Sequence, residues 1–222
     1  MSSIYRFWGG PDMPDDYREY GRKWAELNPG REVQDWSEAD VQGRSWANQA
    51  VIDHLYERDD GRHTIEFYVT LADVVSYELL LESGGSYFNC DVEPLRPLSE
   101  LEDEWGLTWV AREDELWVVN SEMGGEPGHP FYADLVGTLG PRYFADPYNE
   151  MVITTGPKLL TLVWARHAEV SALPVEAFNA VHWTKVPHGS TAVGIAVPES
   201  AYGRHHWGHR RDGRTNIISP PI

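Results

Sequence analysis

Residues 70–93 read TLADVVSYELLLESGGSYFNCDVE. From Thr70 to Ser83, the residues Leu71, Val74, Val75, Tyr77, Leu79 and Leu80 supply a broad apolar face, which predicts a helix. Thr70 and Asp73 have the spacing of a capping box. Gly84-Gly85 supplies a C-terminal stop. Ser86 to Asn89 then reads as a short buried strand that runs out into an acidic loop. A helix that packs down, stops at glycine and returns as a strand is a building unit of α/β domains.

The flanking segments continue the alternation. Ser3 to Trp8 is a β-branched and aromatic run that stops at Gly9-Gly10-Pro11, so it reads as a strand ending in a turn. Pro14 to Leu27 has helical spacing, with Tyr17, Tyr20, Trp24 and Leu27 on one stripe. Pro14 suits the first turn, and the acids after it suit the positive end of the helix dipole. Asn28-Pro29-Gly30 ends that helix. Glu32 to Trp36 reads as a second strand, and Ser37 to Val41 begins another helical piece. Trp105 to Val110 and Leu116 to Asn120 read as strands, His129 to Leu139 and Lys158 to His167 as helices. The expectation is a single α/β domain over residues 1–222 with a mostly parallel sheet, without repeats or linkers.

Composition narrows the function classes. The 222 residues are 41% hydrophobic and 12% aromatic, enough for a substantial core. The formal net charge of −17 disfavours bulk nucleic-acid binding. Against that background Arg204, Arg210, Arg211 and Arg214 crowd the C-terminus with His205, His206 and His209. This cluster reads either as a small anion site or as a solvated tail. Cys90 is the single cysteine, which removes an internal disulfide framework and points to a reducing, cytoplasmic setting. No apolar run follows Met1, and no stretch approaches the ~20 apolar residues of a membrane span. A soluble protein without a transmembrane segment is expected.

In open α/β sheets the ligand crevice lies outside the carboxyl ends of the strands. That rule places Asn89-Cys90-Asp91-Val92-Glu93 at a crevice. Asp91 and Glu93 are two apart and share a face if the strand persists. Two oxygen ligands on one edge suit Mg²⁺ or Mn²⁺, which keep positions open for phosphate oxygens. Taken alone, the string reads first as a solvated acidic turn, because short D-x-E strings are common on surfaces.

Other stretches match a pattern in order. Ile4-Tyr5-Arg6-Phe7-Trp8-Gly9-Gly10 is followed by Pro14. Then comes Trp24-Ala25-Glu26-Leu27-Asn28-Pro29-Gly30-Arg31-Glu32, closing on Trp36. Ala72 to Leu80 leads into Gly84 to Val92. Asn120 precedes Pro127-Gly128-His129-Pro130-Phe131, and Thr155-Gly156-Pro157 and His205-His206-Trp207-Gly208 follow. Taken together, these resemble the sugar-transferase family that carries a DXD motif. That family includes capsular polysaccharide synthesis proteins, fungal outer-chain mannosyltransferases and, more distantly, glucosylating clostridial toxins.

The resemblance implies a GT-A fold and a retaining transfer from a nucleotide-diphospho-sugar, a UDP- or GDP-sugar, assisted by Mn²⁺ or Mg²⁺. It implies a base-stacking role for Trp8 with the Phe7 backbone nearby, beside the plainer reading of Trp8 as a core residue. Asp73 would contact ribose or sugar hydroxyls, and Asn120, Gly84 and Gly85 would belong to the donor-binding set, the two glycines reading also as structural residues that allow the tight return from helix to strand. Asp91, Asn89 and His206 would hold the metal, with His205 as runner-up, and Asp91 and Asp73 would be the catalytic carboxylates. The basic segment 204–222 would close over the donor. His129 reads as a packing or capping residue. The acceptor stays open among a glycan, a protein, a lipid and a modified base.

Two positions depart from the family pattern. Asn89 stands where the first aspartate is usual, and Ser76 where arginine is usual. An amide still coordinates or hydrogen-bonds through oxygen but adds no charge. Ser76 removes a bidentate donor. A degenerate sugar-binding module without turnover and a nucleotide-sugar hydrolase therefore remain competing readings.

Overall fold

The first strand, β1 (Ile4–Trp8), is buried for most of its length, including Arg6 at 0% exposure. Its guanidinium is neutralised in place: Nε and Nη2 bind the Asp35 carboxylate at 2.6 and 2.8 Å, and Nη1 donates to the Tyr17 carbonyl at 2.8 Å. One buried arginine thereby ties β1 to helix α1 (Asp15–Leu27) and to strand β2 (Val33–Ser37). Such a charge is tolerated inside because every lobe of the fork is paired.

The computed structural model describes residues 3–10, 12–59, 61, 64–147 and 150–208. After β2 come α2 (Glu38–Gln42), α3 (Gln49–Arg58), α4 (Ile65–Ser83), β3 (Gly85–Phe88), β4 (Val92–Pro94) and α5 (Leu98–Trp105). The chain continues through β5 (Trp109–Arg112), β6 (Val118–Gly125), α6 (Pro130–Ala145), α7 (Met151–Thr154), α8 (Pro157–Trp164), β7 (Ser171–Ala172) and β8 (Gly203–His205). The central sheet has the order β2-β1-β3-β6-β5-β7. β1 is parallel to β2 and β3, and β5 is parallel to β7; β6 runs against both its neighbours. The mostly parallel α/β architecture expected from the sequence is the one observed.

Two apolar clusters sandwich the sheet. One contains Tyr5, Phe7, Leu71, Val74, Tyr87, Met123, Leu135 and Leu160, joining α4, α6 and α8 to the strands. The other contains Ile4, Trp24, Phe88, Val92, Trp109 and Phe178. Here Trp24 stacks on Phe88 at 4.0 Å, and Trp109 stacks on Phe178 at 5.9 Å. Truncating one such ring to alanine costs roughly 3–5 kcal/mol.

Several boundaries differ from the sequence reading. Helix α4 starts at Ile65, capped by Thr64, whose Oγ1 accepts from the Phe67 N–H at 3.3 Å. Thr70 and Asp73 therefore lie inside the helix and form no cap. Trp105 closes α5 and is not in a strand, which starts only at Trp109. Helices α3 and α5 have no counterpart in the sequence reading; both are short amphipathic pieces, docked by Val51, Ile52 and Leu55, and by Leu98 and Leu101.

The largest difference concerns the motif. The chain after Asp91 is no acidic loop but β4, paired antiparallel with β8 in a small second sheet, with Val92 opposite His205 and Glu93 opposite Arg204. Residues 204–208 are therefore built into the fold. The rest of the expected closing segment, from His209 onward, lies outside the described residues. Among the described residues, no helix is long and apolar enough to cross a membrane.

Candidate functional site

The two ends of strand β3 (Gly85–Phe88) are built differently. At its start Gly84 and Gly85 have φ of 63° and 103°. A Cβ on Gly85 would sit 2.3 Å from the Ser3 carbonyl, and one on Gly84 would sit 2.6 Å from Pro127. These glycines let α4 return tightly against β1. They lie at the opposite end of β3 from Asn89, about four strand residues or ~13 Å away. Their place is thus in the chain reversal and not beside the motif, contrary to the expected donor-binding role. An open cleft of 430 Å³ lined by Ser83, Gly85, Glu102 and Leu107 also lies at that end.

At the other end of β3 the chain turns through Asn89 and Cys90. The Asn89 N–H donates to the Ser121 carbonyl at 2.8 Å, and its carbonyl accepts from the Val92 N–H at 3.0 Å. The Cys90 thiol donates to the Phe7 carbonyl at 3.3 Å. The motif is therefore fastened to the carboxyl end of β1, one residue before Trp8. Burial pushes the Cys90 thiol up to about 12, so it stays protonated in this contact. The Asn89 side chain is only partly buried and makes no hydrogen bond to the described residues.

Trp8 meets Tyr17 edge-on at 5.7 Å, in a cluster with Tyr20, Met13 and Cys90. Its Nε1 is buried without a hydrogen-bond partner among the described residues, as is Nδ1 of His206. Unpaired buried polar atoms are uncommon, and bound ligands are one of their usual complements.

Two histidines flank the motif in different ways. His205 Nε2 lies 3.3 Å from Asp91 Oδ1, and its Nδ1 lies 3.1 Å from both Glu122 Oε1 and Asn179 Oδ1. Burial alone would push this imidazole down, but the charges of Asp91 and Glu122 outweigh it and hold His205 up at about 10. His206 instead sends Nε2 to Glu93 Oε2 at 3.1 Å and stacks on Tyr20 at 5.0 Å. Glu93 also receives Lys23 at 2.7 Å and Arg204 at 3.4 Å. The hydrogen bond from His206, with support from Lys23, holds Glu93 down to about 2 against the opposing effect of burial. Of the two histidines, His205, the runner-up as metal ligand, turns its ring to the Asp91 carboxylate, while His206 donates its backbone N–H to the Asp91 carbonyl at 2.9 Å. Gly208 completes the arrangement, its N–H donating to Asp91 Oδ2 at 2.6 Å. Trp207, at φ 54°, makes the turn that brings Gly208 back.

A second constellation lies on the α4 side. Asp73 is 2% exposed, and its carboxylate is taken up inside the protein: Thr155 Oγ1 donates to Oδ2 at 2.7 Å, and Asn120 Nδ2 donates to Oδ1. Burial raises Asp73 to about 7 in spite of these two hydrogen bonds. Asn120, expected in the donor set, is thereby joined to Asp73. The Thr155-Gly156-Pro157 turn carries no assigned role in the sequence pattern; its threonine is the third member of this constellation. Glu122 and Asn179 likewise have no motif around them. His129 is the N-cap of α6, accepting from the Phe131 N–H at 3.2 Å, as expected.

Residues 14–109 match the family model described as the glycosyltransferase sugar-binding region containing a DXD motif. The matched stretch includes the Asn89-to-Asp91 motif. The chain is 26% identical over 208 residues to inositol phosphoceramide mannosyltransferase 3 of Schizosaccharomyces pombe, covering 91% of this chain and 51% of that protein. It is 24% identical over 173 residues to a mannosyl phosphorylinositol ceramide synthase of Saccharomyces cerevisiae, covering 74% and 41%. The chain thus spans about half the length of these relatives or less. Among solved structures it is similar to the PaToxG glycosyltransferase (TM-score 0.60, 12% identity, 76% of this chain and 69% of that one). It is also similar to the glycosyltransferase domain of the YGT toxin (TM-score 0.51, 11% identity, 82% of each). The fold is GT-A.

Within the DXD family's pattern, the two departures have clear local settings. Ser76 is fully buried and donates to the Asp73 carbonyl at 3.0 Å, so it occupies the helix interior and offers nothing to a ligand. Asn89, by contrast, presents its amide at the carboxyl end of β3.

Proposed function

We propose that this chain is a metal-dependent, retaining glycosyltransferase that moves a sugar from a nucleotide-diphospho-sugar to an acceptor. One observation carries the reading. The Asn89-to-Asp91 motif stands at the carboxyl end of β3 and is hydrogen-bonded through Cys90 to the carboxyl end of β1, beside Trp8. This is the edge at which open α/β sheets bind nucleotides.

The residues at that edge suit a hard divalent ion shared with phosphate. Among the described residues no three His, Cys, Asp or Glu side chains form a metal cage. One carboxylate, Asp91, and one amide oxygen, Asn89, are sufficient for Mn²⁺ or Mg²⁺ that completes its shell with water and diphosphate oxygens. When bound, such an ion supplies positive charge against the diphosphate leaving group. His206 holds Glu93 through Nε2, and Nδ1, without a partner among the described residues, is the nitrogen through which it would join.

The protein's own groups would do the rest. Trp8 offers a ring face for the base and an N–H without a partner among the described residues. Asp73, being buried, would act by positioning Asn120, the half-buried member of the pair. Among the described residues no side chain at the motif is placed as a dedicated nucleophile, so transfer on one face, with the leaving phosphate taking the acceptor proton, fits best. The protein then contributes orientation and electrostatics.

The mannosyltransferase relatives put a mannosyl nucleotide first among donors. Their names put a phosphoinositol-bearing lipid first among acceptors, ahead of glycan, protein or modified base. The test is release of nucleoside diphosphate from a panel of UDP- and GDP-sugars with Mn²⁺. Release that Asp91→Asn abolishes supports the reading. Binding without release, for every donor, would favour a sugar-binding module instead, the outcome that Asn89 and Ser76 motivate. Transfer to an added acceptor separates transferase from hydrolase.

A further inference from the structure

We propose that His205, backed by Glu122 and Asn179, is a positioning residue that fixes the Asp91 carboxylate for the ion and diphosphate. The proposal rests on the donor-site reading above.

The geometry is a buried chain. Asp91 Oδ1 faces His205 Nε2 at 3.3 Å, and Nδ1 of the same ring faces Glu122 Oε1 and Asn179 Oδ1, each at 3.1 Å. Behind the ring, Asn179 Nδ2 donates to Glu122 Oε2 at 3.2 Å, and Ser121 Oγ donates to that oxygen at 2.7 Å. Glu122 and Asn179 are 0% and 1% exposed. Trp207 stacks on the imidazole at 4.0 Å and is itself held by its Nε1 donating to the Val181 carbonyl at 2.6 Å. The ring therefore has one orientation, set from its edge and from its face.

Both ring nitrogens point at protein oxygens. Neither directs a lone pair toward a separate ligand, which argues against His205 as a metal ligand. Its effect passes through Asp91, whose other oxygen is fixed by the Gly208 N–H. Glu122 Oε1 has no hydrogen bond among the described residues, only the ion-pair distance to His205. An isolated carboxylate oxygen in the interior is costly, and holding His205 in place offsets that cost. Groups that orient a coordinating side chain in this way commonly change metal affinity by about 10- to 100-fold when removed.

The test uses the whole chain with Mn²⁺ and a nucleoside diphosphate as probes. Glu122→Gln keeps the shape and removes the charge; His205→Gln is the second variant should the first fail to fold, with circular dichroism as the check. We expect Mn²⁺ affinity, read by electron paramagnetic resonance, to fall about 10- to 100-fold. We expect metal-free nucleotide affinity to stay within about twofold of wild type. Unchanged Mn²⁺ affinity in the folded variants overturns the proposal. So does an equal loss of nucleotide affinity with and without metal, which would mark general structural damage. A directly bound nitrogen signal from Mn²⁺ that vanishes in His205→Ala also overturns it, by making His205 a ligand. Wild-type protein that takes up neither probe overturns the donor-site reading itself, and this proposal with it.

Discussion

Thr155 donates its hydroxyl to the Asp73 carboxylate at 2.7 Å, joining the middle of α4 to the turn that leads into α8. This contact, with Asn120 on the other carboxylate oxygen, lets an ionisable group sit at 2% exposure inside the domain. Its protonation is consequently coupled to folding.

The sign follows from the raised value. Asp73 titrates at about 7 when folded, against 3.8 for an ordinary aspartate. The folded state therefore holds the extra proton between those values, and stability from this group falls as pH rises through that window and is level above it. The full effect is on the order of 4 kcal/mol. Urea unfolding from pH 4.5 to 8 should show Asp73→Asn losing this slope. Parallel curves for wild type and variant would count against it.

Glu93 works in the opposite direction. Held down to about 2 by His206 and Lys23, it contributes stability that is complete above its ordinary 4.5 and is lost as pH falls through about 2. Because the Lys23 side chain is 38% exposed, screening reduces the contribution to roughly 1–2 kcal/mol. Glu93→Gln should be less stable than wild type by that amount at pH 7. The gap should narrow below pH 4 in the same urea assay.

Asn89→Asp restores the second carboxylate at a position whose side chain has no hydrogen-bond partner among the described residues. Its stability should stay within about 0.5 kcal/mol of wild type. Mn²⁺-dependent nucleoside diphosphate release should rise, as measured with the preferred donor. No rise would mean that the site works with the amide.

Gly85→Ala should destabilise the fold by about 3 kcal/mol or more, since it combines a left-handed φ of 103° with a Cβ 2.3 Å from the Ser3 carbonyl. A shift of the urea midpoint measures it. An equal loss of activity and folded fraction, with unchanged donor affinity in the folded remainder, would separate this role from donor binding.

How much of the site is legible in advance depends on distance along the chain. Asn89, Asp91 and Trp8 fall on short segments whose local pattern places them at strand ends, and they meet because β1 and β3 are neighbours. Asp73 is legible as a residue of α4, but its partners are not. Thr70 and Asp73 imitate capping spacing, while the true cap is Thr64, a full turn and more before Thr70. Thr64 caps without an acid three residues on, so the capping-box spacing points to Thr70, and only the start of the helix identifies Thr64.

Glu122, Asn179 and His205 are beyond such reading. They come from β6, from the loop after β7 and from β8, and no local pattern marks a glutamate, an asparagine and a histidine as partners. Gly84 and Gly85 show the converse: their part in the tight return is legible, but only the structure shows that Ser3 and Pro127 are what the turn packs against.

Local pattern alone establishes the α/β alternation, the α4-to-β3 reversal at two glycines and the placing of the motif at a strand end. Hydrophobic period and glycine freedom act over a few residues, so they are written into short stretches of chain. Which histidine faces Asp91 is settled at long range. His205 and His206 are adjacent and chemically identical, and only the register of β4 against β8, with Val92 opposite His205, sends one ring to Asp91 and Glu122 and the other to Glu93. Strand pairing between distant segments sets which side chains meet, and a shift of one residue would exchange the two.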